Sequence, residues 1–420
     1  MATIVFFPEG AYGPTNNCVG IGQVLQERGH RVVFVVEESF AGTLDAQGFE
    51  ERHIRLGPPP ETEEVPGQFW KDFIRDTAPV FRRPTIEQLE SFIEPTFRAL
   101  CDGARYADDR LREIFGELEP DAIVEDNVVA FPAVKHSGRR WVRIVSCNPL
   151  EVKDAALPPV FSGYPLDERS GWDAFRAEYL RALGPLHAEF SAFCEERGAG
   201  PLPEGDLIHA SEHLNLYVYP AELDYPRAAQ LGPQWRRLDT CVRRSADTFE
   251  LEPDERPLVY LSLGSLGSAD VELMRRLVEL LADAPYRLVV SKGPQADEYE
   301  LADNMSGAEY VPQPAILPHV DLVITHGGNN TTTECFHFGK PLVVLPIFWD
   351  QHDNAQRVDE TGFGVRLPTY ELDRETLRDA IDRLLASGPL RARLAAIAAR
   401  VNADPGTIRA ALLIEDLCEC

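Results

Sequence analysis

Lysine is scarce in this sequence, and acidic residues outnumber basic residues as a whole. Five lysines occur among 420 residues, and 68 Asp and Glu against 41 Lys and Arg leave a net charge of −27. A surface this acidic repels phosphate backbones and anionic lipid headgroups, and the sequence has no long basic block to offset that repulsion. We therefore expect neither a nucleic-acid partner nor a membrane partner.

Paired cysteines and long apolar runs are also absent. The eight cysteines form no C-x-x-C pair, which argues against a zinc site and a disulfide framework and favours reduced thiols. No apolar stretch approaches the roughly 18 residues that span a bilayer. The apolar residues 4–7 follow Met1 without the basic segment of a signal peptide. The sequence thus predicts a soluble, cytoplasmic protein.

The length and the strand pattern predict two α/β domains. A chain of 420 residues is about twice the usual size of one domain. An apolar run over 4–7, an amphipathic segment over 16–27 and a β-branched run over 31–36 predict a β-α-β unit, and a second series of such units begins at 258. We expect two doubly wound parallel sheets that face each other across a cleft.

A proline-rich, partly acidic segment marks the predicted boundary between these domains. The predicted bounds are 1–225 for the first domain, 226–256 for the linker and 257–403 for the second domain. Further strands are predicted over 122–125, 142–146, 214–219, 287–290, 309–311, 322–325 and 342–345. Six aromatic residues of the first domain are expected in the core, namely Phe69, Trp70, Phe73, Phe81, Phe92 and Phe97.

The densest group of small and polar residues follows a predicted buried strand of the second domain. His326 ends that strand, and two glycines including Gly328 let the backbone turn sharply into a helix. The start of this helix carries free amides and the positive end of the helix dipole, and Asn330 and Thr331 add short polar groups. Glu334, one turn further, can accept hydrogen bonds from a vicinal diol. The pattern indicates a site for a phosphorylated ribose.

Two other strand ends supply polar or small residues to the same edge of the predicted sheet. Asp350 and Gln351 offer donors and acceptors that suit sugar hydroxyls. Gly264 and Ser265 form a turn of small residues near the expected phosphates. Because ligands of open α/β sheets bind at the carboxyl ends of the strands, these pieces predict one ligand site.

Together with Tyr310-Val-Pro-Gln313, these motifs resemble the donor-binding signature of the family-1 UDP-glycosyltransferases, which have the two-domain GT-B fold. The resemblance is specific from about residue 258 to 365 and moderate over 1–40. It implies an inverting enzyme that moves a hexose from a UDP-sugar to a small-molecule acceptor, an O- or N-nucleophile such as a bacterial natural product. The acceptor is expected mainly on the first domain, against which residues 404–420 are expected to pack as a helix.

The pattern and the resemblance together predict eleven donor-binding residues: Gly264, Ser265, Tyr310, Gln313, His326, Gly328, Asn330, Thr331, Glu334, Asp350 and Gln351. The resemblance implies that Tyr310 stacks on the base and that Glu334 holds both ribose hydroxyls, which favours UDP over dTDP. No D-x-D motif occurs, so we expect no metal and no cofactor beyond the donor. The helix dipole and His326 would stabilise the leaving diphosphate.

The family's catalytic histidine is missing from the loop after the first strand. Its expected position falls on Tyr12, whereas the aspartate that usually orients it is present as Asp126. A tyrosine is a poor base at neutral pH. Three accounts are open: Asp126 or Glu9 acts as the base, the acceptor needs little help, or the protein binds the donor without efficient transfer. We favour Asp126, as the base or as a charge partner for an acidic or amine acceptor.

Other functional classes fit the sequence less well. A dinucleotide-dependent oxidoreductase needs G-x-G-x-x-G after the first strand, but Gly20 and Gly22 lie inside a predicted helix without a third glycine. A UDP-sugar epimerase would share the same fold, but the sequence pattern at residues 330–334 fits a transferase better. A nucleotide-sugar-binding protein without transfer activity stays open because of Tyr12. We expect loops 57–116 and 148–171 to form the acceptor site. The protein is expected to be a monomer or homodimer.

Overall fold

A computed structural model of the protein describes residues 1–59, 72, 76–250 and 254–419. The strands in this described part are β1 (Thr3–Pro8), β2 (Arg31–Glu37), β3 (Glu50–Ile54), β4 (Ala122–Asp126), β5 (Arg140–Val145), β6 (Leu214–Val218), β7 (Trp235–Leu238), β8 (Leu258–Ser262), β9 (Arg287–Ser291), β10 (Met305–Ala308), β11 (Leu322–Thr325), β12 (Leu342–Val344) and β13 (Gly364–Arg366).

The α-helices of the same residues flank these strands. They are α1 (Tyr12–Glu27), α2 (Thr85–Gln88), α3 (Glu94–Leu118), α4 (Pro132–His136), α5 (Trp172–Glu196), α6 (Gly264–Gly267), α7 (Val271–Leu281), α8 (Gln313–Ile316), α9 (Asn329–Phe338), α10 (Gln351–Glu360), α11 (Arg374–Ala386), α12 (Gly388–Ala403) and α13 (Gly406–Glu419). None of the described helices is both long and apolar enough to cross a membrane.

The first sheet joins seven described strands in the order β3-β2-β1-β4-β5-β6-β7, all paired in parallel. Its central strands are apolar along nearly their whole length because helices cover both faces. The order in which the strands are added reverses at β1: β2 and β3 lie on one side of it, and β4 lies on the other. The register pairs Pro8 with Asp126, so the loops that follow β1 and β4 begin side by side.

The second sheet joins six described strands in the order β10-β9-β8-β11-β12-β13, also parallel throughout. Its reversal point is β8, between β9 and β11. The register pairs Ser262 with Thr325, the last residues of β8 and β11. The glycine turn after β8 and the residue after β11 therefore meet at one edge, as the sequence predicts.

Four short strands differ from the predictions. β7 lies inside the segment predicted as a linker, and its residues Trp235–Leu238 are mostly exposed or half-buried, so they lack the apolar pattern of a central strand. The strand predicted over 309–311 lies earlier in the chain, over Met305–Ala308, an exposed edge strand with little apolar character. β3 and β13 at the sheet edges were not predicted.

The last helix, α13, packs against the first sheet and α1. Ala410 and Ile414 are buried in the core beneath that sheet. Glu415 accepts hydrogen bonds from the guanidinium of Arg28 at 2.7 Å and lies 2.7 Å from Nε2 of His30. These contacts fix the end of the chain to its beginning.

The aromatic residues of the first domain pack across the boundary between the domains. The rings of Phe81 and Phe92 lie 5.0 and 5.3 Å from that of Phe348, and the rings of Phe97 and Phe161 lie 4.8 and 4.6 Å from that of Trp349. Phe348 and Trp349 precede α10, so an apolar contact seats this loop against the first domain. The other aromatics predicted for the core, Phe69, Trp70 and Phe73, lie outside the described residues.

Candidate active site

His326 lies at the end of β11, between two glycines. A Cβ atom at Gly264 would approach Cε1 of His326 to 2.8 Å, and one at Gly328 would approach Nε2 to 2.6 Å. Gly264 also has a φ of 70°, a left-handed conformation that suits glycine. Burial lowers the pKa of His326 to about 4, against the opposing effect of a bond to the backbone of Ser262. The imidazole is therefore neutral at pH 7 and has one N–H to donate.

Helix α9 begins directly after Gly328, beside the imidazole of His326. Its first-turn amides and its dipole make this end favourable for an anion. Asn330 and Thr331 lie in this turn, as predicted, and their side chains bond to Glu334 and Gln313 respectively. Ser265, predicted for the same site, lies in the short helix α6 after β8.

Glu334 is buried on the second turn of α9 and has three polar partners. Nε2 of Gln313 donates to its Oε2 at 2.6 Å, and Nδ2 of Asn330 donates to its Oε1 at 3.1 Å. The third partner, Arg243, was not predicted; its Nη1 lies 3.4 Å from Oε1. Burial raises the pKa of Glu334, while Arg243 and the two amides act to lower it. The structure thus brings Gln313, Asn330 and Glu334 together.

Tyr310 follows β10, close in sequence to Gln313, and 62% of it is exposed. A tyrosine that presents its ring to solvent is available to stack on a flat partner such as a base. The stacking of Tyr310 on the base of the donor stays a prediction.

Asp350 and Gln351 lie at the start of α10, where the two domains meet. Asp350 is buried, and its Oδ2 accepts a hydrogen bond from the backbone N–H of Asn148 in the first domain at 2.8 Å. Burial raises the pKa of Asp350 to about 7, and nearby Glu151 raises it further. The Oε1 atom of Gln351 accepts from two backbone amides of its own loop. Both side chains thus hold the loop in place, and Asn148 was missed because it lies in the other domain.

Two of the three predicted catalytic residues, Glu9 and Asp126, are adjacent in the structure. Glu9 follows β1, and its backbone N–H donates to the carbonyl of Asp126 at 2.9 Å, so these two residues are adjacent. Tyr12 begins α1, is 59% exposed and lies with its ring 5.6 Å from that of Phe40. Within the described residues, no hydrogen bond links Tyr12 to Asp126. The structure thus pairs Glu9 with Asp126 and packs Tyr12 against Phe40.

Asp126 is buried and already engaged. Its Oδ2 accepts from the hydroxyl of Ser146 at 2.5 Å, and that hydroxyl accepts from Nδ2 of Asn17 at 2.9 Å. Burial raises the pKa of Asp126 well above its ordinary value, a bond from Ser146 opposes the change, and the charges of Glu151 and Glu9 add to it. Burial also raises the pKa of Glu9 to about 7, with Glu151 and Asp350 adding to the effect. Ser146 was missed because hydroxyl side chains are common in strand-end loops.

A pocket with mostly apolar walls lies beside Glu9. Its walls are formed by side chains at the ends of β1, β3 and β4 and by α3, including Ile54, Leu56, Leu100 and Val128. Glu9 and Glu37 are also among its lining residues. The loops expected to hold the acceptor contribute only in part: 148–171 is not in this lining, and residues 60–71 and 73–75 lie outside the described residues.

Comparisons with known proteins place this architecture among glycosyltransferases. Residues 272–417 match the family model described as "Erythromycin biosynthesis protein CIII-like, C-terminal domain". The chain is 26% identical to the NDP-glycosyltransferase YjiC of Bacillus subtilis, over 96% of this chain and 94% of that protein. It is 28% identical to the oleandomycin glycosyltransferase of Streptomyces antibioticus, over 99% and 90% of the two chains.

Solved structures show the same fold. The glycotransferase of kitacinnamycin superposes with a TM-score of 0.74 at 22% identity, covering 99% of this chain and 98% of that one. The glycosyltransferase VinC, solved in complex with dTDP, superposes with a TM-score of 0.66 at 19% identity and covers 99% of both chains. The predicted pair of parallel-sheet domains is confirmed.

Proposed function

We propose that this chain, an enzyme with the GT-B fold that is similar to natural-product glycosyltransferases of family 1, transfers a hexose from UDP to a small-molecule acceptor, with inversion and without a metal. The observation that carries the proposal is the site at the start of α9. A neutral His326, free helix amides and a buried Glu334 lie in sequence there, in an order that suits a diphosphate followed by a ribose.

The diphosphate is proposed to bind at the N-terminus of α9. A net charge of −27 makes the whole protein a poor attractor of anions, so a local arrangement has to bind the phosphates. The helix amides and the N–H of His326 provide hydrogen bonds that strengthen as negative charge grows on the leaving UDP. This arrangement supports release of UDP without a metal ion.

The acceptor is proposed to bind beside Glu9, with at most one small group in the apolar pocket, whose volume is about 20 Å³. The apolar side chains there suit contact with a hydrophobic acceptor, in keeping with a relative named for oleandomycin. Glu9 removes the proton of the acceptor hydroxyl or amine as that atom attacks the anomeric carbon, and the bond from that carbon to UDP breaks on the opposite face. Glu9 is preferred to Asp126 because it lines the pocket, whereas Asp126 is buried under Ser146. Asp350 and Gln351 are proposed to hold the hexose.

The donor is proposed to be a UDP-sugar rather than a dTDP-sugar. Glu334 can accept from two hydroxyls of a ribose, and dTDP lacks the 2′-hydroxyl. A charge-assisted hydrogen bond contributes about 1.5–3 kcal/mol, which corresponds to at least about a tenfold preference.

The test is release of nucleotide from UDP-glucose and from dTDP-glucose, each with a panel of phenol, alcohol and amine acceptors and with or without EDTA. We expect UDP release that depends on the acceptor, ignores EDTA and exceeds dTDP release. In the Glu334→Gln variant the preference for UDP should shrink. A preference for dTDP-glucose would refute the donor assignment, and UDP binding without turnover on any acceptor would favour a binding protein. Failure to bind UDP at all would refute both.

A further inference from the structure

Arg243 reaches the predicted ribose site from outside the second domain. It lies in the segment between β7 and β8, and its Nη1 is 3.4 Å from Oε1 of Glu334. Only 13% of the Arg243 side chain and 2% of the Glu334 side chain are exposed. The other polar partners of the carboxylate, Gln313 and Asn330, are neutral amides. Arg243 therefore supplies the positive charge beside Glu334.

The segment that carries Arg243 is bound to helix α1 of the first domain. The backbone N–H and carbonyl of Arg244 bond to the side chain of Gln23 at 3.0 and 3.1 Å. The guanidinium of Arg244 lies 2.6 Å from Glu27. Gly20 permits the close approach, since a Cβ there would lie 2.9 Å from the carbonyl oxygen of Cys241. The first domain thus holds the segment that presents Arg243 to the second domain.

A carboxylate buried as deeply as Glu334 needs a nearby positive charge to stay ionised. In its ionised form it accepts hydrogen bonds at both oxygens, whereas protonation turns one oxygen into a donor. A guanidinium also fixes the orientation of the carboxylate that it contacts. Arg243 therefore affects how well Glu334 can accept from two hydroxyls of one ligand.

We infer that Arg243 is a positioning residue for the ribose of the donor: it keeps Glu334 ionised and oriented, from a segment anchored on the acceptor-binding domain. The inference rests on the proposed function, because it takes Glu334 as the ribose ligand. It implies that donor affinity depends on how the segment between β7 and β8 lies on α1.

The experiment is a double-mutant cycle on the binding of UDP and of 2′-deoxy-UDP to the full chain, measured by calorimetry. Arg243→Gln should weaken UDP binding about tenfold or more, the scale of one charge-assisted hydrogen bond, and should weaken 2′-deoxy-UDP binding less. In the Glu334→Gln background, Arg243→Gln should have little further effect. The matched control is Arg256→Gln, which removes an exposed ion pair with Asp254 at the other end of the segment and should bind UDP like the wild type.

The outcomes separate this inference from the proposed function. Wild-type protein that fails to bind UDP refutes the proposed function. UDP binding by the wild type together with unchanged binding by Arg243→Gln refutes the inference alone, and so do equal losses for UDP and 2′-deoxy-UDP. Thermal unfolding reports whether Arg243→Gln folds. If it does not, Arg243→Lys decides the matter: it keeps the charge but not the planar guanidinium that orients Glu334, and it should weaken UDP binding more than 2′-deoxy-UDP binding.

Discussion

Several carboxyl groups around the cleft have raised pKa values, but these groups differ in their hydrogen-bond partners. Burial raises the pKa of both Glu9 and Asp350 to about 7 and that of Asp126 well above its ordinary value. Asp126 accepts from Ser146 and Asp350 accepts from the backbone of Asn148, so both have fixed partners. Glu9 is among the residues that line the apolar pocket, beside which the acceptor is proposed to bind. At neutral pH a group with this pKa is well matched to removing a proton.

Replacing Glu9 by Gln is expected to lower kcat by about a hundredfold or more, the usual contribution of a general base, while UDP affinity stays near the wild-type value. In the wild type, kcat/KM should rise as the pH passes through about 7, because Glu9 works as a base only when deprotonated. Initial rates of UDP release across the neutral range measure both effects. Glu37→Gln, which alters the other carboxylate of the pocket, is the matched control and should keep the rise with pH.

Asp126→Asn separates the two candidate bases. If Asp126 were the base, this variant would lose turnover as completely as Glu9→Gln does, and Glu9→Gln would keep both its rate and its pH profile. With Glu9 as the base, Asp126→Asn should retain the rise of kcat/KM with pH, at a lower rate because the bond from Ser146 is weakened.

At the scale of elements, the site depends on turns that bring strand ends and a helix start close together. The turn after β8 and the start of α9 both contact the imidazole of His326, and each contact occurs at a glycine. Glycine at Gly328 is required by space alone, since its φ of −56° is open to any residue. The geometry of the proposed phosphate site therefore depends on the absence of a side chain at Gly264 and Gly328.

Gly328→Ala is expected to weaken UDP binding at least about tenfold, because the new Cβ would lie 2.6 Å from Nε2 of His326 and displace the ring from the phosphates. Calorimetric titration with UDP is the measurement. Gly29→Ala is the control: Gly29 has a φ of 90° but no atom near its Cβ position, so alanine there strains the backbone and should leave UDP affinity unchanged. Equal affinity in Gly328→Ala and the wild type would contradict the proposed phosphate site.

Across the whole molecule, buried carboxyl groups couple stability to pH. Burial raises the pKa of Glu9 and Asp350 to about 7 and that of Glu125 and Asp353 to about 8, from ordinary values near 4. Between these limits the folded protein binds more protons than the unfolded chain. The contribution of these groups to the free energy of unfolding is therefore largest below their unfolded pKa values and falls as the pH rises through the folded ones.

We expect Tm to fall by several degrees between about pH 5.5 and pH 8, measured by calorimetry or circular dichroism. Added salt screens repulsion on the acidic surface and should leave much of the slope, because buried groups are poorly screened. Asp353→Asn, which removes one of these groups at the contact between the domains, should make the slope shallower. A Tm that rises over this interval would contradict the assignment of these carboxyls as protonated in the folded state.

The sequence alone predicts the features that depend on residues close together in the chain. Most central strands follow from apolar runs, and the predicted phosphate and ribose residues follow from one segment, His326 to Glu334, because a strand end and the next helix start are adjacent in any such unit. Edge strands such as β7 and β10 cannot be predicted in this way, since exposed strands have no apolar pattern.

The tertiary structure decided the contacts between distant parts of the chain. Arg243 meets Glu334 across 91 positions, and Asn148 meets Asp350 across 202, because the packing of two domains and a connecting segment places them together. The same holds for the positions of Tyr12 and Glu9: the start of α1 places the ring of Tyr12 against Phe40, and the pairing of β1 with β4 leaves Glu9 beside Asp126. Local sequence patterns cannot predict such contacts, because the contacts depend on how whole elements pack.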